Sequence, residues 1–329
     1  MAAGIFSQFN FGVEAKGDSN YGVRVPATHI VEVSDGSGIN FNLELQPVEV
    51  VNGQLAKNVC TYPGQADTSG TIDIPFFPAV VPYFMYSLLG TVTTSAHLDE
   101  NEDTVSGVYD HVFTESPLRP TLTIEETIGD LPRVATGFQP TQMTLTVDNE
   151  GLINTSFEGF AKNIEVLDDP TTATAALGCP MHHADEITVT IDGVEFATLQ
   201  SIEITYNNNV SPEYTVTGGS AVAYRGIGKT EYSGSMTMVL DSNAPTEYQK
   251  YLESTSRDIE IHISGAEIGE TGVKQQLIVS MPNVKFSNFE CNATMETVTA
   301  DVEFMGLFDK STNKHIEFTV INEVSSLAS

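Results

Sequence analysis

The chain has 329 residues, with 14 Lys and Arg against 44 Asp and Glu, a formal net charge of −30. It is 40% hydrophobic and lacks Trp, a composition that suits a globular chain able to bury one or two cores and excludes a disordered one. A surface this acidic repels a phosphate backbone, which speaks against a reader of DNA sequence.

The opening "MAAGIFSQFNFG" has no basic region followed by a continuous apolar run, so no secretory signal is expected. Ile39, Phe41, Leu43 and Leu45 alternate with Asn40, Asn42 and Glu44, the mark of a strand with one wet face. "SGTIDI" from Ser69 follows, then "FFPAVVPYFMYSLLG". There Pro82 suits a helix start, and Phe84 and Leu88 stand four apart, so this is the predicted helix of the first half. The stretch is too short to span a bilayer and is read as the core-facing start of that helix. "HLDENEDTVSGVYD" is predicted to be a solvated acidic loop within residues 91–112. Asp99, Asn101 and Asp103 match positions 1, 3 and 5 of a calcium loop, with Asp110 at position 12. Thr104 replaces the turn glycine and Asp110 is short, so no calcium site is predicted. "TLTIEE" and "TQMTLTVDNEGLINTSFEGF" supply three further strands.

"VLDDPTTATAALGCPMHHAD" is small and polar, with two prolines, and reads as a linker. Its Cys179, His182 and His183 are the best metal candidates, yet neighbouring histidines on extended chain point opposite ways and no fourth ligand is evident. Cys60, Cys179 and Cys291 are scattered and odd in number, which argues against a disulfide framework.

Past the linker the alternation resumes at Ile187, Val189 and Ile191, then at Ile202, Ile204 and Tyr206. "SGSMTM" from Ser233 leads to "PTEYQKYLES", a second predicted helix with Pro245 at its start and Tyr248 and Leu252 four apart. "DIEIHIS" and a run through Val298, Ala300, Val302 and Phe304 follow. The end, "STNKHIEFTVINEVSSLAS", alternates Ile316, Phe318 and Val320 and reads as an extra edge strand or an arm.

The two halves align. "NLELQ" from Asn42 sits with "SIEIT" from Ser201, "SGTIDI" with "SGSMTM", helix with helix, "TLTIEE" with "DIEIHIS", and a two-strand segment closes each. Five elements in one order imply an internal duplication. The expected fold is mainly β: two tandem antiparallel sandwich or barrel modules, each with one short helix. Their bounds are 1–165, with an N-terminal arm, and 186–329, joined by a linker at 166–185.

The order of these phrases resembles the tail tube proteins of long-tailed bacteriophages. The residues that carry the likeness are "YGVRVPAT" at Tyr21–Thr28, "GTIDI" at Gly70–Ile74 and "LLG" at Leu88–Gly90. "YDHVFT" at Tyr109–Thr114, "RPTLTIEE" at Arg119–Glu126 and "GFQPTQMTLTV" at Gly137–Val147 complete it. The resemblance implies a β-module with a flanking helix, assembled as stacked rings around a β-lined, acidic channel through which DNA slides without specific binding. It also implies a virion tail location, assembly in the host cytoplasm, and contact with a sheath, tape measure or terminator protein. If two modules share one chain, three copies close a ring of pseudo-sixfold symmetry.

No nucleophile elbow, P-loop, zinc-protease helix or dinucleotide fingerprint is present, so neither an enzyme nor a cofactor is expected. Two other readings stay open: a duplicated baseplate hub or distal tail protein of the same fold, and a carbohydrate-binding β-sandwich. No membrane partner is expected.

Overall fold

The computed structural model describes residues 7–49, 58–99, 101–149, 151–168, 171, 173, 179–182, 186–196, 198–216, 219–240, 244–293 and 298–327. The first half opens with β1 (Ser7–Val13), β2 (His29–Val31), β3 (Gly38–Ile39), β4 (Asn42–Glu49), β5 (Asn58–Asp67) and β6 (Ser69–Pro75). Helix α1 (Val81–Leu89) follows, then the hairpin β7 (Gly90–Leu98) and β8 (Thr104–Glu115). β9 (Leu122–Ile128), β10 (Leu131–Asp148), β11 (Asn154–Phe160) and β12 (Asn163–Val166) complete the half.

The second half begins with β13 (Glu186–Ile191), β14 (Val194–Glu195), β15 (Leu199–Asn207), β16 (Ser211–Glu213), β17 (Tyr224–Gly226) and β18 (Glu231–Val239). Helix α2 (Ala244–Leu252) precedes β19 (Arg257–Glu267), β20 (Lys274–Ala293), β21 (Val298–Gly306) and β22 (Glu317–Asn322). The chain is mainly β, as expected, and every strand pair is antiparallel.

One sheet runs through both halves in the order β3–β6–β11–β10–β15–β18–β21–β20. Its inner face is the apolar half of each alternation: Ile72, Ile74, Met143, Leu145, Ile202, Ile204, Met236 and Val302 are all buried. The other faces of the core come from β9 with β1, β2 and β12, and from β19 with β13 and β22. The long strands β10 and β20 serve both layers. β10 pairs with β9 and β12 in its first part and with β11 and β15 in its last. It turns at Gly137, whose φ of +68° suits glycine; an added Cβ would lie 2.9 Å from the Tyr21 ring.

Helix α1 is the sequence-predicted one, with Pro at its first turn and Gly90 at φ +101° ending it. All nine of its residues are buried, and Phe84 meets Phe11 and Phe157, so the apolar stretch is core. α2 is also where the pattern placed it, but only its Glu247 is buried.

Strand pairing follows the same order in the two halves. β1–β9, β9–β10, β10–β12, β10–β11, β11–β6 and β6–β3 are matched by β13–β19, β19–β20, β20–β22, β20–β21, β21–β18 and β18–β15. One of the five aligned phrases shifts. "NLELQ" lies in β4, which pairs with β5 in a separate two-stranded arm, whereas "SIEIT" lies in β15. Both alternate, but β15 has a sheet on each side, and Leu45 of β4 is 59% exposed. By pairing, Ile204 on Gly234 matches Ile39 on Gly70.

The other differences arise from long-range pairing that local pattern does not encode. The acidic segment is not a loop but the β7–β8 hairpin, turned at Asp99–Asp103. The C-terminal stretch is no edge: β22 lies between β20 and β8. In the linker, Met181 is buried and bonds the backbone of Phe76 and Ile153, and Thr171 bonds Glu125. Those parts pack on the first half.

Candidate assembly surface and channel wall

The sheet shared by both halves has one polar face, built by the same alternation that fills its core. Asp73, Asp148, Glu158, Glu203, Glu231, Glu290, Asp301 and Glu303 lie on it. No Lys or Arg occurs in the strand segments that carry them (69–75, 142–148, 154–160, 199–207, 231–239, 288–293 and 298–306). Each carboxylate neighbours a core residue, as in Ile72-Asp73-Ile74, Ile202-Glu203-Ile204 and Val302-Glu303-Phe304. Asp301 accepts hydrogen bonds from Thr237 Oγ1 at 2.8 Å and Asn292 Nδ2 at 2.7 Å. The face is anionic apart from Lys285 of β20, which lies opposite Met305.

Among the described residues, two strand-pairing seams join the halves. In one, β10 pairs with β15 from Gln142↔Asn207 to Asp148↔Ser201. On the core side Met143 and Leu145 meet Tyr206 and Ile204, each no more than 1% exposed. On the polar side the Thr144 and Thr205 hydroxyls lie 3.3 Å apart. In the other seam β8 pairs with β22, from Tyr109↔Asn322 to Phe113↔Phe318. An amide side chain of the second half closes each seam: past β15, Asn208 Nδ2 donates to Leu88 O at 3.1 Å, and at the end of β22, Asn322 Nδ2 donates to Pro78 O at 2.7 Å. These donors satisfy carbonyls that the end of α1 and its approach leave free.

Charged groups elsewhere do structural work. Glu115 accepts from Tyr206 Oη at 3.1 Å and faces His315 Nδ1 at 3.0 Å, tying β8 to β15 and to the residues before β22. Burial pushes its carboxyl up, but the His315, Thr230 and Tyr206 contacts outweigh that and hold it below its usual range. Arg257, 2% exposed, meets Glu247 at 2.7 Å and Asp192 at 2.9 Å, anchoring α2 to β19.

The sequence-predicted candidates are dispersed. Asp99 Oδ1 accepts from the backbone N–H groups of Asn101 and Asp103 at 2.8 and 2.9 Å, so its carboxylate shapes the hairpin turn. Asp110 lies down the hairpin against His97 Nδ1 at 2.7 Å. Cys179 is exposed, His182 forms a bridge with Leu152, and His183 falls outside the described residues. Among the described residues, no group of three or more His, Cys, Asp or Glu is placed to hold a metal ion. The carboxylate face follows from apolar–acid–apolar triplets in the sequence, but which strands share it is set by pairing between distant segments.

The profile of the phage tail tube protein family matches residues 8–306, nearly the whole chain. The chain belongs to that family. No curated protein matches it. A phage tail tube protein is a structural part of the virion tail that works by self-assembly, which agrees with a surface organised around sheet edges and a carboxylate face. No helix among the described residues is long and apolar enough to cross a membrane.

Proposed function

We propose that this tail tube protein holds two copies of one module and that three chains close a ring. Rings stack into a tube whose wall is the carboxylate face, and DNA passes through it without being held. One observation carries the reading: a single sheet of eight strands crosses both halves and presents eight carboxylates on its polar face, with one cation, Lys285, where β20 begins to leave it. Basic groups on such a wall would release counterions from DNA and retain it; carboxylates do not.

Circumference supports three chains. Three copies supply 3 × 8 = 24 strands. At a spacing of about 4.8 Å these enclose a circle roughly 37 Å across between backbones, with room for a double helix. Two copies give roughly 24 Å by the same spacing, which side chains largely fill. In the virion the tube would meet a sheath, tape measure or terminator protein, after assembly in the host cytoplasm.

Electron microscopy of concentrated purified protein, with the mass of one ring, tests this. Long uniform tubes with three chains per ring are expected. Six chains per ring would refute the two-module chain. Isolated rings would point to a hub or distal tail role, and persistent monomers would refute assembly altogether.

A further inference from the structure

We propose that the open edge of β20 in one chain pairs antiparallel with the open edge of β3, prolonged through Phe41, in the next, with Phe289 opposite Phe41. This repeats between chains the β10–β15 seam found within one. The inference rests on the ring reading above and names its lateral contact.

Among the described residues, Asn288–Ala293 of β20 pair only with β21, and β3 pairs with no strand but β6, with the Glu126 carboxylate against the Ile39 backbone N–H. Unpaired edges of this kind recruit a further strand unless something covers them. Their register follows from two irregularities that occur in both halves. In β10 the pairing with β11 shifts between Pro140 and Gln142, opposite Gly159 and Glu158. In β20 the pairing with β21 shifts between Phe286 and Asn288, opposite Phe304 and Glu303. Bulges pin register, so Met143 corresponds to Phe289 and Leu145 to Cys291. On the receiving edge, a Cβ added at Gly70 would lie 2.5 Å from Gly38 O, and one added at Gly234 would lie 2.3 Å from Glu203 O. The same carbonyl presses on the same glycine, so Ile39 corresponds to Ile204 and Phe41 to Tyr206.

Within the chain Met143 faces Tyr206 and Leu145 faces Ile204. Between chains the same register sets Phe289 against Phe41 and Cys291 against Ile39. Burial marks which seam is filled. Tyr206 is fully buried, while its counterpart Phe41 is 47% exposed, and Leu145 is buried while Cys291 is exposed; Ile39 and Phe289, their proposed partners, are already buried within the chain. On the polar side Glu290 comes opposite Asn40, so no two carboxylates are directly opposed. Helix α2, which packs on Phe289 through Tyr248, leaves Tyr248 and Leu252 41% and 60% exposed. Its counterpart α1 is buried throughout, against β7, β8 and β10, with Asn208 of the other half bonded to Leu88 O at its end. The occupant is a second copy of this chain because both edges belong to it and its own internal seam is the pattern. The contact is heterologous and head-to-tail, which closes a ring.

Disulfide trapping reads the register. Thr144 and Thr205 correspond to Glu290 and Asn40, and their hydroxyls are 3.3 Å apart. Asn40→Cys with Glu290→Cys, in a chain carrying Cys60→Ser, Cys179→Ser and Cys291→Ala, should shift on oxidation of assembled tubes to covalent dimers and closed trimers. The offset pair Asn40→Cys with Asn288→Cys should stay largely monomeric on a non-reducing gel. Tubes that cross-link only through the offset pair, or through neither, would overturn this register and leave the ring reading standing. Absence of rings from the wild-type chain would overturn both. Phe41→Asp provides a check independent of cysteines: it should keep the wild-type unfolding midpoint as a monomer and lose assembly. Normal assembly of that variant would also refute the seam.

Discussion

Glu14 is 1% exposed and accepts four hydrogen bonds, from Thr121 Oγ1 at 2.5 Å, Thr123 Oγ1 and Gly137 N at 2.8 Å, and Gly22 N at 3.0 Å. One carboxylate thus ties the end of β1 to β9, to the corner of β10 and to the turn at Gly22. Nothing in "GVEAKG" marks this glutamate as buried, because its partners lie far along the chain. Phe9, Phe11 and Val13 before it alternate with polar residues, a local signal of burial; its own burial has none. Removing it leaves four donors without an acceptor in a site closed to water. Glu14→Ala should therefore lower stability by about 3 kcal/mol or more. Glu14→Gln, which keeps the shape but turns an N–H₂ towards donors, should fall between. Urea unfolding of unassembled protein measures both, and an alanine variant as stable as wild type would show that the cluster is not holding the corner.

Elements repeat the lesson at larger size. Helix α1 was legible because its apolar spacing, Pro82 and Gly90 all agree, and most core strands because period-two alternation is a local signal. β4 shows the limit: its alternation matches that of a core strand, yet it forms a projecting arm. Which strand sits beside which is set by non-local pairing, so the union of β8 with β22 was invisible. His111 holds that seam. It is fully buried, its Nδ1 faces Thr94 Oγ1 at 2.9 Å, and its Nε2 lies 3.0 Å from Asn322 Oδ1 and 2.9 Å from Val324 O. Burial pushes its pKa below 6.5, against the upward pull of Asn322, Val324 and Asp110. The unfolded chain then takes up a proton first, so this stability is present above about pH 6.5 and is lost as pH falls below it. His29, lowered by burial, acts in the same sense, and Glu126, raised by burial, in the opposite one. Comparison with His111→Gln isolates the seam. Wild type should be less stable at pH 5 than at pH 7.5, with faster amide exchange in Glu317–Asn322, and the variant should lose part of that difference. An identical pH dependence in both would rule His111 out as its source.

At the scale of the molecule, the net charge of −30 is an average, and only the fold shows how much of it gathers on one face. Solubility needs acids anywhere on the surface, whereas a passage for DNA needs them on the wall and needs cations kept off it. The two demands separate on substitution. Glu158, Glu203 and Glu303 are exposed, lie on the polar face and belong to strands inside the sheet rather than to either edge strand. Changing all three to Lys alters the charge of a chain by 3 × 2 = +6, from −30 to −24, and leaves the core untouched; Glu203 faces only Thr146 across the β10–β15 seam. Tubes should still form. Wild-type tubes should not retain a short duplex that enters them, while the lysine tubes should. Retention should weaken steeply between 50 and 200 mM salt, with a logarithmic slope of about −0.9 for each phosphate neutralised. Co-sedimentation of labelled duplex with tubes at several salt concentrations gives that slope. If the lysine tubes ignore DNA as the wild-type tubes do, the carboxylate face is not the wall that DNA meets. If both retain it, the acids are not what keeps the passage free.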